Sequence, residues 1–326
     1  MFLAGGAVRD LLLGRPVLDL DLALEGDGPA FAAALGRRLG AAVRFHARFG
    51  TATLEVPGAR VDVAATRRER YAAAGALPSV ETGASIDEDL ARRDFTIHAM
   101  ALEAGSRARL VDPLGGRDDL RRGLIRVLHP RSFLDDPTRI LRAVRYCARL
   151  GFRLARPTRK LLAAAVADGA LERISADRLR RELRLILEEP ERARAVALLR
   201  RLGIDAAIHP ALARPGAAAR LRGAGPGGDW LCYLSAWMEG AGNAGRDGVA
   251  SKLGLSRADR RALGSARGVS TADPALRGAD LIAAGVPAGP AIGRALALTR
   301  EALEAGRLRP TDALDFAVRA ARGPVE

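Results

Sequence analysis

Two aspartates separated by a single leucine, Asp19-Leu20-Asp21, follow the segment Gly5-Gly6-Ala7-Val8-Arg9-Asp10. The alternation from Val17 to Leu24 predicts a strand. Side chains alternate along a strand, so both carboxylates leave it on the same face. Two carboxylates held close repel each other unless a cation lies between them. Mg²⁺ takes such oxygen ligands and completes its octahedron with water and phosphate oxygens. The glycine pair lets backbone N–H groups approach a triphosphate, and the helix after it aims its positive end there. Arg9 then neutralises phosphate charge. Without Gly5, Gly6 and Arg9, the two aspartates would read equally well as the exposed face of an ordinary strand.

The surrounding sequence predicts a mixed α/β domain on a small sheet. Phe2–Ala4 reads as a short strand and Val8–Leu13 as a helix that Gly14 ends. Pro29 opens a helix to about Leu39, and Val43–Phe45, Thr51–Val56 and Arg60–Ala64 read as three more strands. Asp62 lies between Val61 and Val63. A neighbouring strand would bring it beside the first two aspartates, as a third ligand or as the base for an attacking hydroxyl. A solvated or arginine-paired carboxylate is the competing reading. Tyr71–Ser85 carries Gly75, Pro78 and Gly83 and reads as a loop, with a short helix starting over Asp87–Leu90. In Arg92-Arg93-Asp94-Phe95-Thr96 the guanidiniums suit phosphate or ribose contacts. Alternatively Asp94 caps a helix while both arginines are solvated. Leu110–Val111 is a short strand before the turn Asp112–Gly116, and this domain ends near Leu128.

From Ser132 the pattern turns helical, over Arg139–Leu150, Pro157–Ala167, Ala176–Glu188 and Glu191–Leu202. Asp136 suits an N-cap and Pro137 the first helical position. Arg139, Arg142 and Arg145 recur every three residues and drift around that helix. A carboxylate accepts from the exocyclic amine of cytosine or adenine, and a guanidinium donates to the neighbouring ring acceptor. Asp136 with Arg139 can therefore choose C and A without a template. On the residues alone, a capped helix with a salt bridge is the simpler reading. Ala213–Gly228, rich in Gly, Pro and Ala, reads as a linker or exposed loop; a last helical segment follows, broken at Gly285–Pro290. No histidine pair has metal-ligand spacing, and all four histidines read as structural or solvated.

Composition narrows the partners. The formal net charge is +14 over 326 residues, and a field of that sign attracts polyanions, nucleic acid first. Compositional bias contributes, since Lys160 and Lys252 are the only lysines. Cys147 and Cys232 offer neither a disulfide framework nor a metal knuckle, which makes the cytoplasm the default. No apolar run is long enough for a membrane span, and no signal peptide is expected before Gly5. Aromatic residues are only 4%, so an aromatic platform for base stacking is not expected.

Together these residues resemble the bacterial class II tRNA nucleotidyltransferase and poly(A) polymerase family, within the polymerase-β-like superfamily. The matching stretches are Gly5–Leu24, Arg60–Tyr71, Glu88–Leu102, Asp112–Leu120, Phe133–Phe152 and Glu172–Leu187, in the family's order. The resemblance implies an α+β protein: a nucleotidyltransferase head over residues 1–128, a helical nucleotide-selecting neck over 129–212, and a helical body and tail over 213–326 that grips tRNA. It implies Mg²⁺ on Asp19 and Asp21, triphosphate contacts from Gly6 and Arg9, and a nucleotide contact from Arg93. Asp136, Arg139, Arg142 and Arg145 would form a protein template that reads ATP or CTP. Asp177-Arg178 with Glu182 resembles a helix-stabilising motif without chemistry of its own. The sequence departs from the family at Asp135, where many members have Glu, and at His98, where Asn is usual. An upstream helix found in some members is expected to be missing, and no His-Asp phosphohydrolase motif follows Ala213. The implied activities are addition of CCA, of CC only or of A only, with Tyr71–Ser85 as the segment thought to govern the switch from C to A. Poly(A) synthesis, and RNA binding without catalysis, are the alternatives.

Overall fold

The computed structural model describes residues 1–17, 19–46, 50–105, 108–225, 227–265, 278–287, 289–304, 308 and 312–322. The chain divides into two compact units, one of Met1–Ile186 with Leu198–Ile208, the other of Leu187–Ala197 with His209–Glu326.

The first unit begins β1 (Phe2–Ala4), α1 (Gly6–Leu12), β2 (Asp19–Leu24), α2 (Gly28–Leu39), β3 (Val43–His46), β4 (Thr51–Val56) and β5 (Ala59–Ala65). It continues through β6 (Arg67–Arg70), β7 (Ser79–Thr82), α3 (Ile86–Ala91), β8 (Ala101–Glu103), β9 (Arg109–Val111), α4 (Gly116–Arg121) and β10 (Leu124–Ile125). Then come α5 (Ser132–Asp135), α6 (Thr138–Leu150), β11 (Arg153–Leu154), α7 (Arg156–Ala167), α8 (Ala176–Glu188), whose last two residues belong to the second unit, α9 (Arg192–Arg201), which belongs to the second unit as far as Ala197, and α10 (Ile204–Ile208). A seven-stranded sheet runs β3-β4-β5-β2-β1-β8-β9. Its one parallel pairing, β2 with β5, sets Asp19 opposite Arg60 and Asp21 opposite Asp62. The strand foreseen over Val17–Leu24 starts at Asp19; Leu18 lies outside the described residues.

Alternation decides what each face of β2 meets. Leu20, Leu22 and Leu24 turn to a core with Leu54, Val61, Val63 and Ala32 of α2. α2 starts on an Asp27 cap that accepts from the Ala30 amide and stops at left-handed Gly40. A Cβ on its Gly28 would lie 2.7 Å from the Ala65 nitrogen, so only glycine lets the helix approach β5 this closely. The opposite face of β2 carries Asp19, Asp21 and Ala23. Ala23 joins a second core with Phe2, Ala4, Ile86 and Leu90, while Asp19 and Asp21 stay exposed.

Several segments differ from the sequence reading, β6, β10 and β11 among them. Tyr71–Ser85 is not wholly a loop, because Ser79–Thr82 forms β7 and pairs antiparallel with β6. Ser-Val-Glu-Thr has no apolar alternation to signal a strand, and pairing with a neighbour supplies what propensity does not. Ala101–Glu103 is a sheet strand too short to carry a pattern of its own. Ala213–Gly228 holds a helix, α11 (Ala217–Gly223), whose Ala217 and Leu221 are buried one turn apart. Its alanines favour helix more than the flanking Gly and Pro suggest.

The second unit continues with α12 (Trp230–Trp237), α13 (Gly242–Lys252), α14 (Arg257–Ser265), α15 (Gly278–Ala283), α16 (Pro290–Glu304) and α17 (Ala313–Arg322). Trp237 is fully buried, and its indole N–H donates to the Leu212 carbonyl at 2.9 Å. Leu281, Val286, Ile292, Ala295 and Ala317 form a terminal core. The break foreseen at Gly285–Pro290 separates α15 from α16; its Ala288 lies outside the described residues. No helix among the described residues is long and apolar enough to cross a membrane.

Candidate active site

A cavity of about 560 Å³ in the first unit is walled by β2, α1, the segment after α3 and the start of α6. Gly6, Arg9, Asp19, Asp21, Arg93, Asp136, Arg139 and Arg142 all line it. Asp10, Glu69, Tyr71, Arg92, Asp94, His98, Tyr146 and Arg149 complete its polar wall, and carboxylates and guanidiniums are equal in number there. Of the residues singled out in the sequence, Asp62 and Arg145 do not line this cavity.

Loss of water around the Asp21 carboxyl within the cavity pushes it above its ordinary range; Arg93 opposes the shift, while Asp62 and Asp19 add to it. A carboxylate so placed gains from a cation at its open side. Among the described residues, no group of three His, Cys, Asp or Glu side chains forms a metal cage. Two oxygen donors on one strand face fit a cation that keeps water and phosphate oxygens as its other ligands, as Mg²⁺ does. Asp62 lies across from Asp21 and opens into a neighbouring cavity that Asp21 also lines. Its oxygens accept from Thr53 Oγ1 at 2.5 Å and from Arg60 at 3.2 Å.

The turn between β1 and α1 makes room for Arg93. Gly5 has φ +73°, and its amide donates to the Met100 carbonyl. A Cβ there would fall on Arg93 Nη1, and it would lie 3.9 Å from Asp21 Oδ2. Arg93 is held from behind by Asp89 at 3.0 Å.

Arg9 is buried, with its Nε donating to Asp10 at 2.9 Å and its Nη1 to His98 Nε2 at 2.6 Å. The other ring nitrogen of His98, Nδ1, lies 2.8 Å from Asp94 Oδ1. Asp94 Oδ2 in turn takes Arg142 at 2.7 and 2.8 Å. Burial alone would lift the Asp94 carboxyl, but His98 and Arg142 outweigh it and hold the group well below the ordinary range. Burial keeps His98 below its usual value, that is, neutral at pH 7. Burial works against the charge on Arg142, yet Asp94, Tyr146 and Glu182 prevail and raise it. Asp94 thus does not sit at a solvated helix cap; it is the carboxylate between His98 and Arg142.

At the start of α6, Asp136 Oδ1 accepts from the Thr138 amide at 3.0 Å and from Arg178 at 2.6 Å. Pro137 rather than Asp136 is the N-cap of α6, and the ion-pair partner of Asp136 is Arg178 rather than Arg139. Arg178 also donates to the Gly75 carbonyl at 3.0 Å. Arg139, 4% exposed, donates to Ser132 Oγ and to the Arg92 carbonyl. Arg145 turns inward to Glu182 at 3.4 Å and to the Tyr146 ring.

Sequence reasoning missed Tyr146, Arg149, Tyr71 and Glu69, and it gave Arg178 only a helix-stabilising role. Arg142, Tyr146 and Arg149 stand at i, i+4 and i+7 and share one face, so helical periodicity was the signal for two of them. Tyr71 donates to Glu69 at 3.2 Å, and burial pushes its phenol up to about 12. Arg178 lies 42 residues from Asp136, a pairing that no local pattern announces.

Comparison with known proteins adds four findings. Residues 1–126 match the model of the poly A polymerase head domain, and residues 151–214 that of a probable RNA and SrmB binding site of polymerase A. An A-adding tRNA nucleotidyltransferase of Geobacter sulfurreducens is 46% identical over 215 residues, 65% of this chain and 24% of that protein's length. A CC-adding tRNA nucleotidyltransferase of Deinococcus radiodurans is 34% identical over 342 residues, 98% of this chain and 89% of that one. A tRNA nucleotidyltransferase solved with a primer tRNA and an incoming ATP analog is similar with a TM-score of 0.71 and 28% identity, covering 97% of this chain and 90% of that one. The helix α6, which brings Arg139, Arg142, Tyr146 and Arg149 to the cavity, falls between the two matched family models.

Proposed function

Since the chain belongs to the tRNA nucleotidyltransferase family, we propose that it adds C, A or both to the 3′ end of tRNA from CTP and ATP, without a nucleic acid template and with release of pyrophosphate. The observation that carries this reading is that Asp19 and Asp21 open into the same cavity as Arg9, Arg93, Asp136 and Arg139. Catalysis is assigned to residues 1–128, nucleotide selection to 129–212 and the grip on tRNA to 213–326, where an A-form stem is held by shape and phosphate.

Arg9, Arg93 and the backbone at Gly6 receive the triphosphate. Arg9 is well suited, since three of its bonds are fixed to Asp10 and His98 and a guanidinium has five N–H groups to give. Asp19 and Asp21 hold Mg²⁺. When bound, that ion screens the charge of the transferring phosphoryl group and favours ionisation of the primer hydroxyl. Asp62, kept in place by Thr53 and Arg60, is the third carboxylate beside the reacting end.

Base choice falls to α6. With Oδ1 of Asp136 committed to Thr138 and Arg178, its other oxygen is the acceptor for an exocyclic amine. Arg139 uses two of its N–H groups on Ser132 and Arg92 and keeps donors for the ring nitrogen beside that amine. Cytosine and adenine present this donor–acceptor order; uracil and guanine reverse it, and the mismatch leaves desolvated polar groups unpaired. Arg142 and the inward Arg145 hold this wall in place through Asp94 and Glu182.

The test uses tRNA transcripts lacking CCA, CA and A, each with labelled CTP or ATP and Mg²⁺. Extension of one or more of them is expected, and the pattern separates the three activities. Long A runs on unstructured RNA would mark a poly(A) polymerase, a reading not favoured because the relatives above are named for tRNA. Asp21→Ala is expected to abolish incorporation while tRNA affinity is largely kept. Unchanged incorporation in that variant would remove the mechanism and leave an RNA-binding protein.

A further inference from the structure

We propose that His98 is a positioning residue of the nucleotide site, a neutral imidazole whose bare Nε2 holds Arg9 and whose Nδ1–H holds Asp94. The proposal rests on the nucleotide-binding reading above and adds a residue that the family resemblance leaves out, because His98 stands where Asn is usual.

Both partners dictate the tautomer. A guanidinium only donates, so the 2.6 Å contact from Arg9 Nη1 requires a lone pair on Nε2. The ring proton is then on Nδ1, 2.8 Å from Asp94 Oδ1, and a carboxylate only accepts. Asp94 passes the constraint to Arg142. One ring therefore joins the phosphate side of the cleft, on α1, to the base side, on α6. The ring itself is buried and pinned by Tyr146 at 4.4 Å and Phe95 at 5.9 Å between centroids.

The charged groups that face the ring are Arg9 from α1, with Asp10 behind it, Asp94 at the end of the segment after α3, and Arg142 from α6. Arg93 reaches only the His98 carbonyl. Protonation would set an N–H on Nε2 against the Arg9 guanidinium, and the two donors would repel. Arg9 would lose its third anchor and turn off the line of the triphosphate. Burial resists that protonation, as do Arg9 and Arg142, while Asp94 favours it.

Asparagine and glutamine divide the two contacts. An Asn side chain reaches the place of Nδ1 and keeps the Asp94 bond; a Gln reaches the place of Nε2 and offers Arg9 a carbonyl oxygen. The experiment is equilibrium binding of ATP and CTP to the full chain at fixed Mg²⁺, from roughly pH 5.5 to 8.5, on wild type, His98→Asn and His98→Gln. At neutral pH, His98→Asn is expected to weaken binding about tenfold, the usual loss when a buried charge-assisted bond is removed. His98→Gln should stay within about threefold of wild type. In wild type, affinity should fall more steeply than in either variant as pH drops through the lowered value of His98, since titration of the nucleotide itself is common to all three. Superimposable pH profiles would overturn the proposal, as would a Gln variant as weak as the Asn variant. Should either variant fail to fold by circular dichroism, the wild-type profile decides alone: affinity that does not fall on acidification overturns the proposal. Absence of any ATP or CTP binding by wild type would instead sink the nucleotide-binding reading.

Discussion

Arg178 ties Asp136 Oδ1 at 2.6 Å and the Gly75 carbonyl at 3.0 Å; on the proposed function it would fix the angle at which that carboxylate meets a base. Arg178→Met keeps the stem and removes both donors. Incorporation of UTP relative to CTP is expected to rise about tenfold, the equivalent of about 1.4 kcal/mol of lost discrimination. Competition between labelled nucleotides measures it. Gly5 acts by having no side chain. Gly5→Ala would strain a backbone at φ +73° and push Arg93 from its seat beside Asp21. The variant should cost about 1–2 kcal/mol of stability and raise the nucleotide KM more than it lowers kcat, which steady-state kinetics on folded protein separates.

Among the elements, those read from sequence are the ones whose pattern is set by burial. β2, β4 and β5 alternate because one face meets α2, β1 because its Phe2 and Ala4 face the core with Ile86 and Leu90, and the same alternation put Asp19 and Asp21 away from α2. α6 was visible as a helix, yet its functional face was not fully followed. Counting by threes selected Arg145, whereas the period of 3.6 leads from Arg142 to Tyr146 and Arg149. β7 and β8 lack apolar contrast, and α11 was masked by the glycines and prolines around it. The link between His98 and Arg9, which are 89 residues apart, depends on tertiary packing and has no local signature. The layer of α2 on the sheet offers a direct test: Leu54 is fully buried there. Leu54→Ala should lower unfolding free energy by about 2–5 kcal/mol in a urea titration.

For the whole molecule, pH and salt act through different groups. An unfolded chain takes up a proton on His98 below pH 6.5, while the folded chain resists it. The unfolded state then binds more protons, so stability declines as pH is lowered from 6.5. Asp94 adds a second step of the same sign. Its folded value lies well below 3.8, so its contribution is intact above 3.8 and is lost as pH falls through the lower folded value. Thermal melts across this range should show a midpoint that drops on acidification, with a smaller drop below pH 6.5 in His98→Asn.

Salt separates the two ligands. The chain carries +14, but the cavity that holds Asp19 and Asp21 has as many acids as arginines in its wall. Its long-range pull on an incoming anion is therefore weak, and the arginine surplus lies elsewhere on the chain. Affinity for tRNA should fall steeply, by on the order of a thousandfold or more between 50 and 200 mM salt, if six or more phosphates are met. Affinity for ATP at fixed Mg²⁺ should change little over the same range. A balanced pocket cannot collect triphosphates by field alone. On the proposed function it would admit a nucleotide whose counter-ion travels with it, and so screen monomers by fit while the remainder of the molecule captures the polymer from afar.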